Sequence, residues 1–334
     1  MTALPPLAVA MGDPAGIGPE ILAKAWARRR EERLMPFFAV GDARAVAKVW
    51  DGPIAHIDSP SGATAAFDDA LPVLTVEDAG EITPGHPDLE GARCALHSLE
   101  LATGLTREGA AGALVTGPVS KAQLYLLGFT HPGQTEFVAE RVGVATSATV
   151  MMLAGPTLRV VPVTTHVALA KVPGLLSQAL LVAKARVTAR ALVRDFGIAA
   201  PRLAFAGLNP HAGEQGAIGR EEIDILIPAI ETLRAEGIDV TGPLAADTMF
   251  HGRARTLYDA AICCYHDQAL IPLKTLHFDE GVNITLGLPI VRTSPDHGTA
   301  FGIAGQNRAE PGAMIAAIRL AAEAAQRRAT LVQA

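Results

Sequence analysis

The sequence predicts an α/β protein built on a mostly parallel sheet with helices on both faces. Three observations carry this. Short apolar runs alternate with longer amphipathic ones nearly from end to end, the rhythm of βαβ units. Hydrophobic residues make up 49% of the chain but aromatics only 4%, so Ala, Val, Leu and Ile must fill the core, as they do in buried parallel strands. A length of 334 residues is large for one core and points to two lobes.

The elements follow in order. "PLAVAM", "PFFAVG", "LPVLTV" and "GALVTGP" read as buried strands of the first part. Between Leu89 and Arg107 apolar residues recur at helical spacing, which predicts a crossover helix. "ATVMMLA" and "LRVVPVT" predict an adjacent strand pair, followed by an Ala/Leu/Val-rich helix from Gly174 to Phe196. "RLAFAGL" and "DAAICCY" predict further strands with a helix over Glu221–Leu233 between them, and a last helix runs from Pro311 to Arg328. No Ser/Gly-rich linker, repeat or low-complexity tract marks a boundary, which fits lobes between which the chain crosses more than once.

Composition excludes several classes of function. A net charge of −6 argues against a nucleic-acid or membrane-surface partner. Three cysteines, two of them adjacent at Cys263 and Cys264, make no disulfide framework and fit a reducing compartment. The start of the chain has no basic flank and only a short apolar run, so no signal peptide is expected. No stretch reaches the roughly 18 apolar residues of a membrane span. The expected location is cytoplasmic.

Three groups of residues carry chemistry. The first is "MGDPAGIGPE", where Gly12, Gly16 and Gly18 lie between a strand and a helix that Pro19 opens. The spacing is neither the G-x-G-x-x-G of a dinucleotide fingerprint nor a P-loop. Backbone amides near a helix start can attract an anion, and a plain tight turn would use the same residues. The second group is His166, His211 and His266, each after an apparent strand, where open α/β sheets build their sites. Three converging imidazoles would suit Zn²⁺, Co²⁺ or a similar ion; without local spacing, three unrelated loop histidines are the plainer reading of the residues alone. The third group is Lys274, Asn283 and Arg292 around "GVNITLGLPIVRTS". Together they could hold a phosphate by charge-assisted hydrogen bonds; singly, such cations are commonly solvated or paired with carboxylates.

The loop "GDPAGIGPE" resembles the "GDGIGPE" loop of the isocitrate and isopropylmalate dehydrogenase superfamily with two residues added. "DHGTAFGIAGQNRAEPGAMIAAI" (residues 296–318) looks like that superfamily's adenosine-binding segment. The ordered blocks "TGPVSK", "TEF", "TTH", "GLNPHAGE", "GPLAADTMF", "YHDQALIPLK" and "GVNITLGLPIVRTSPDHGTAFGIAG" extend the likeness over nearly the whole chain. They make it similar to the 4-hydroxythreonine-4-phosphate dehydrogenase family.

That resemblance implies a two-lobed α/β/α fold of the isocitrate/isopropylmalate dehydrogenase type, with the active-site cleft between the lobes. Residues 1–128 plus 277–334 would form the first lobe, on the cofactor side. Residues 129–276 would form the second, with the metal ligands and the dimer contacts. It implies oxidation of 4-phosphooxy-L-threonine by NAD or NADP with one divalent ion (zinc, magnesium or cobalt) per site, then loss of CO₂ to give 3-amino-2-oxopropyl phosphate on the route to pyridoxal phosphate. A homodimer with shared active sites is implied too. His166, His211 and His266 would bind the metal, and Gln134, Thr135, Lys274, Asn283 and Arg292 the phosphorylated hydroxy-amino acid. Gly12, Gly16, Gly18, His297, Gly298, Ala300 and Ile303 would line the cofactor. Asp247, Asp267 and Lys121 are the candidates for the general base, and the two aspartates could equally orient metal-bound imidazoles.

The chain departs from the family in two places. Gln134 stands in "GQTE" where the family usually has histidine, replacing a chargeable donor with a neutral one. Gly302 stands where an acid often meets the ribose, and Gln306 and Asn307 replace a common Lys-Gly or Arg-Gly, which leaves the choice between NAD and NADP open. Two other functions fit much of the same pattern: a D-threonate or D-erythronate 4-phosphate dehydrogenase, and a non-catalytic or acyltransferase-like phosphate binder.

Overall fold

The computed structural model describes residues 4–333. The chain divides into two compact units: residues up to Thr146 together with those from Leu288 onward, and Ser147–Gly287. Both changes of unit lie later in the chain than residues 128 and 276, and packing explains each. The helix Gln134–Arg141 buries Phe137, Val138 and Ala139 in the first unit's core, against Leu99, Ala102 and Ile290. The strand Val282–Leu286 pairs with Val150–Gly155 and so belongs to the second unit.

Among the described residues twelve strands form in chain order: β1 Leu7–Ala10, β2 Phe37–Gly41, β3 Ile54–His56, β4 Leu71–Thr75, β5 Leu114–Thr116, β6 Val150–Gly155, β7 Leu158–Pro162, β8 Arg202–Ala206, β9 Asp239–Leu244, β10 Ala260–Cys263, β11 Val282–Leu286 and β12 Arg292–Pro295. In the first unit the order is β3-β4-β2-β1-β5-β12, and every pairing is parallel. Alternation along the strands sorts the side chains to two faces. Ala8, Ala10, Phe38, Val40 and Leu114 pack with Ala92, Leu99 and Ala102 of the helix Leu89–Arg107. On the other face Phe37 meets Phe67 edge-on, and the Trp26 indole of the helix Gly18–Ala27 donates to the Phe67 carbonyl.

In the second unit the order is β11-β6-β7-β10-β8-β9. Here β7, β10, β8 and β9 are parallel, while β6 runs antiparallel to both β7 and β11. One face packs Leu153, Val160, Ala204 and Ala261 against Ala269, Leu270 and Leu273 of the helix His266–Leu276.

The crossover helix falls on Leu89–Arg107 as its periodicity predicts, opened by Asp88, whose carboxylate accepts from Gly91 N at 2.7 Å. Two helices differ from expectation. The helix expected from Gly174 starts at Gln178, because Ser177 caps it and Pro173-Gly174 forms a separate short turn. The helix expected over Glu221–Leu233 opens as a π turn, Glu222–Leu226, before the α-helix Ile227–Ala235. Pro228 has no N–H to give, and the hydrogen-bond register widens ahead of it. Among the described residues no helix is long and apolar enough to cross a membrane.

Candidate active site

The glycine loop joins β1 to the helix Gly18–Ala27. Gly12 has φ +82°, and a Cβ there would collide with the Pro118 carbonyl; one at Gly18 would collide with the Met11 carbonyl. At Gly16 the nearest atom is the Thr299 carbonyl oxygen, 3.1 Å from where a Cβ would lie. Gly12 and Gly18 are therefore demanded by close approach of this chain's own backbone, and Gly16 is closely approached by it. Ile17 N donates to Thr299 O at 3.0 Å. Glu20, almost fully buried, accepts from Ala309 N at 2.9 Å and from Lys24 Nζ at 2.8 Å, and Lys24 Nζ also reaches Ala309 O at 2.8 Å. Two motifs at opposite ends of the sequence are thus bonded into one surface.

On the far side of that junction His297 and Gly298 are exposed, with His297 Nδ1 3.1 Å from Gly298 O. Ala300 adopts a left-handed φ of 44° and accepts from Ile303 N at 3.0 Å, closing the short turn Phe301–Ile303. Asp13, which sequence reasoning passed over, is 1% exposed. One of its oxygens accepts from Ala15 N at 3.0 Å and the other has no hydrogen-bond partner. Burial pushes its pKa up to about 6, opposed by the Ala15 N–H and helped by the charge of Asp88.

A second cluster surrounds Arg292 at the start of β12. Its guanidinium, 4% exposed, donates to Thr116 Oγ1 at 2.6 Å, Gln134 Oε1 at 3.2 Å and Thr135 Oγ1 at 3.3 Å. Gln134 in turn donates to Gly117 O at 3.0 Å, so its amide is held at both ends. Burial lowers the Arg292 pKa to about 10, with Glu136 opposing, and the side chain stays cationic at neutral pH. Lys121 opens the helix Lys121–Leu126 beside this cluster: a methyl group on Gly133 would lie 3.6 Å from its Nζ. The structure thus brings Gln134, Thr135 and Arg292 together, adds Thr116, and sets Lys121 Nζ beside Gly133. Lys274 and Asn283 belong to the second unit, on the helix His266–Leu276 and on β11; Asn283 carries a buried Oδ1 without a hydrogen-bond partner.

The histidines stand at the C-terminal ends of β7, β10 and β8, three neighbouring parallel strands. Buried hydrogen bonds lock their loops to one another. Thr164 Oγ1 donates to Cys264 O at 2.9 Å, and the Gln268 amide accepts from Cys264 N and donates to Gly207 O, both at 2.7 Å. The His166 and His266 rings lie 5.6 Å apart between centroids. His266 Nδ1 is 2.7 Å from Asp267 Oδ1.

His211 sits on an unusual turn. From His211 to Gln215 every φ is between 43° and 80°, one turn of left-handed helix that costs about 1–2 kcal/mol per non-glycine residue. Among the described residues no group of three His, Cys, Asp or Glu gathers closely enough to hold an ion. His166 and His266 lie near one another within one chain, and His211 follows the neighbouring strand β8. Asp247, exposed in the loop after β9, is not drawn into a cluster.

Fold and site together define a two-unit α/β enzyme whose glycine turn is bonded to a distant H-G-T-A turn. The chain belongs to the family described as pyridoxal phosphate biosynthetic protein PdxA, whose profile matches residues 33–321. It is 56% identical over 328 residues to a 4-hydroxythreonine-4-phosphate dehydrogenase of Zymomonas mobilis, covering 98% of each chain. Among solved structures it is similar to the 4-hydroxythreonine-4-phosphate dehydrogenase of Klebsiella pneumoniae, with TM-score 0.86 and 38% identity over 98% of this chain and 100% of the other. It is also similar to a terephthalate 1,2-cis-dihydrodiol dehydrogenase of Burkholderia xenovorans, with TM-score 0.64 and 31% identity over 95% and 97% of the two chains.

Proposed function

We propose that this protein oxidises the 3-hydroxyl of 4-phosphooxy-L-threonine with NAD or NADP in the presence of a divalent ion (zinc, cobalt or magnesium). The products are 2-amino-3-oxo-4-phosphooxybutanoate, the reduced nicotinamide and a proton; the keto acid then loses CO₂ to give 3-amino-2-oxopropyl phosphate. The observation that carries this reading is 56% identity, over 98% of each chain, to a relative of that name.

A divalent ion held by the histidines would supply Lewis-acid chemistry, and a nicotinamide would supply the hydride acceptor. His166, His211 and His266 are the proposed metal ligands, with the set completed in a homodimer whose sites draw on both copies. Asp267 orients His266 through Nδ1. Arg292, already cationic and pre-ordered by Thr116, Gln134 and Thr135, is the phosphate-binding candidate of its unit, and Lys274 and Asn283 are the substrate-binding candidates of the other. Binding energy taken at this remote group aligns the reacting carbon. Lys121, beside the Arg292 cluster, and Asp247 are the candidates for taking the hydroxyl proton. The Gly16–Thr299 junction, with His297, Gly298, Ala300 and Ile303, is the proposed cofactor surface.

The test is a panel assay on chelator-stripped protein with NAD⁺ or NADP⁺. Turnover of 4-phosphooxy-L-threonine that disappears with the metal, returns with Zn²⁺, Co²⁺ or Mg²⁺, and is lost in His266→Ala supports the reading. Turnover of D-threonate or D-erythronate 4-phosphate alone would reassign the substrate. Full activity of His266→Ala would overturn the metal site.

A further inference from the structure

The left-handed turn that carries His211 does not hold itself, because non-glycine residues leave that conformation unless their surroundings over-determine it. What surrounds it is Glu222, the first residue of the π turn, a carboxylate only 2% exposed. Its Oε1 accepts from Asn209 N at 2.7 Å and its Oε2 accepts from Asn209 Nδ2 at 2.9 Å. The second hydrogen of the Asn209 amide goes to Glu221 Oε2 at 2.7 Å. Two residues past His211, Gly213 packs so closely that a Cβ would lie 2.5 Å from Glu222 Oε2. Gly207, at the end of β8, would place a Cβ 3.3 Å from Oε1. The carboxylate head therefore binds Asn209 on one side of His211 and lies close against the backbone at Gly213 on the other.

We infer that Glu222 is a positioning residue: through Asn209 and Gly213 it fixes the left-handed turn and thereby aims His211 at the metal. The inference rests on the reading of His211 as a metal ligand. Only a carboxylate does this work, since both of its oxygens accept and neither donates. A glutamine would have to turn an N–H toward one of the two Asn209 N–H donors. Glu221 and Glu222, consecutive where the π turn begins, both accept from the Asn209 amide.

The test is a Co²⁺ titration of chelator-stripped protein, followed by visible absorption and paired with thermal melting. Four variants are compared: Glu222→Gln, Asn209→Ala, His211→Ala and, as a stability reference in the other unit's core, Leu99→Ala. Glu222→Gln and Asn209→Ala should each weaken Co²⁺ binding about tenfold or more, the effect of losing a partner that orients a ligand. Leu99→Ala should melt earlier yet bind Co²⁺ within about twofold of the unaltered protein. Unaltered Co²⁺ affinity in folded Glu222→Gln, or equal weakening in Leu99→Ala, would overturn the inference. If Glu222→Gln does not fold, Asn209→Ala decides by the same criterion. If His211→Ala binds Co²⁺ normally, the ligand reading itself fails and the inference falls with it. Weak binding in His211→Ala beside normal binding in Glu222→Gln removes the inference alone.

Discussion

Asp13 holds a carboxyl with one satisfied oxygen in nearly complete burial. Its native pKa of about 6 lies above the ordinary carboxylate value of 3.8, so the neutral form is the one the fold prefers. The stabilisation from that neutral form is complete below about pH 3.8 and is lost as pH rises through about 6. Ionisation above that range costs up to about 3 kcal/mol. Asp13→Asn keeps an acceptor for Ala15 N and carries no charge. It should melt higher than the unaltered protein at about pH 8, with the gap closing by about pH 4. A gap that does not change with pH would show that charge burial is not its source. Residue identity alone could not reveal this, because an aspartate before proline in a glycine turn looks solvated. Thr116 is similar: its block was visible, but its bond to Arg292 joins residues 176 apart in sequence.

Among the elements, the glycine loop was legible as a strand-to-helix turn, since Gly and Pro announce their backbone needs locally. What the glycines are for was not legible. The sequence suggests room for a ligand, whereas the structure fills the space beside Gly12 and Gly18 with the chain's own carbonyls. Gly298, by contrast, faces open space. Gly12→Ala and Gly18→Ala should therefore lower the melting temperature sharply or prevent folding, while Gly298→Ala should melt like the unaltered protein. A stable, soluble Gly18→Ala would refute the packing account. The π turn and the left-handed turn were missed for a common reason. Hydrophobic periodicity reports which face is buried, not the hydrogen-bond register or the sign of φ.

At the scale of the whole molecule, the proposed metal ligands lie in the unit 147–287 and the glycine-loop junction in the other. Hydrogen exchange should separate them. Zn²⁺ alone should protect segments 164–168, 207–219 and 264–268, where buried bonds tie the three loops together. NAD⁺ or NADP⁺ alone should protect segments 11–20 and 296–310. Protection of 296–310 by Zn²⁺ alone would mean that the metal is held elsewhere. Where the chain changes unit was only roughly legible, because no linker marks it. The change after Thr146 depends on which core claims the helix Gln134–Arg141, a matter of long-range packing.

By itself the sequence determined the α/β class, most strands and the crossover helix. Each of these is written in local periodicity, turn chemistry or ordered motifs. Only the tertiary structure decided that Ile17 meets Thr299, that Arg292 is dressed by Thr116, Gln134 and Thr135, and that Glu222 grips the turn of His211. Those are contacts between residues far apart in the chain or set by an irregular backbone. They exist only after strands and helices have packed and brought the buried polar groups within hydrogen-bonding distance.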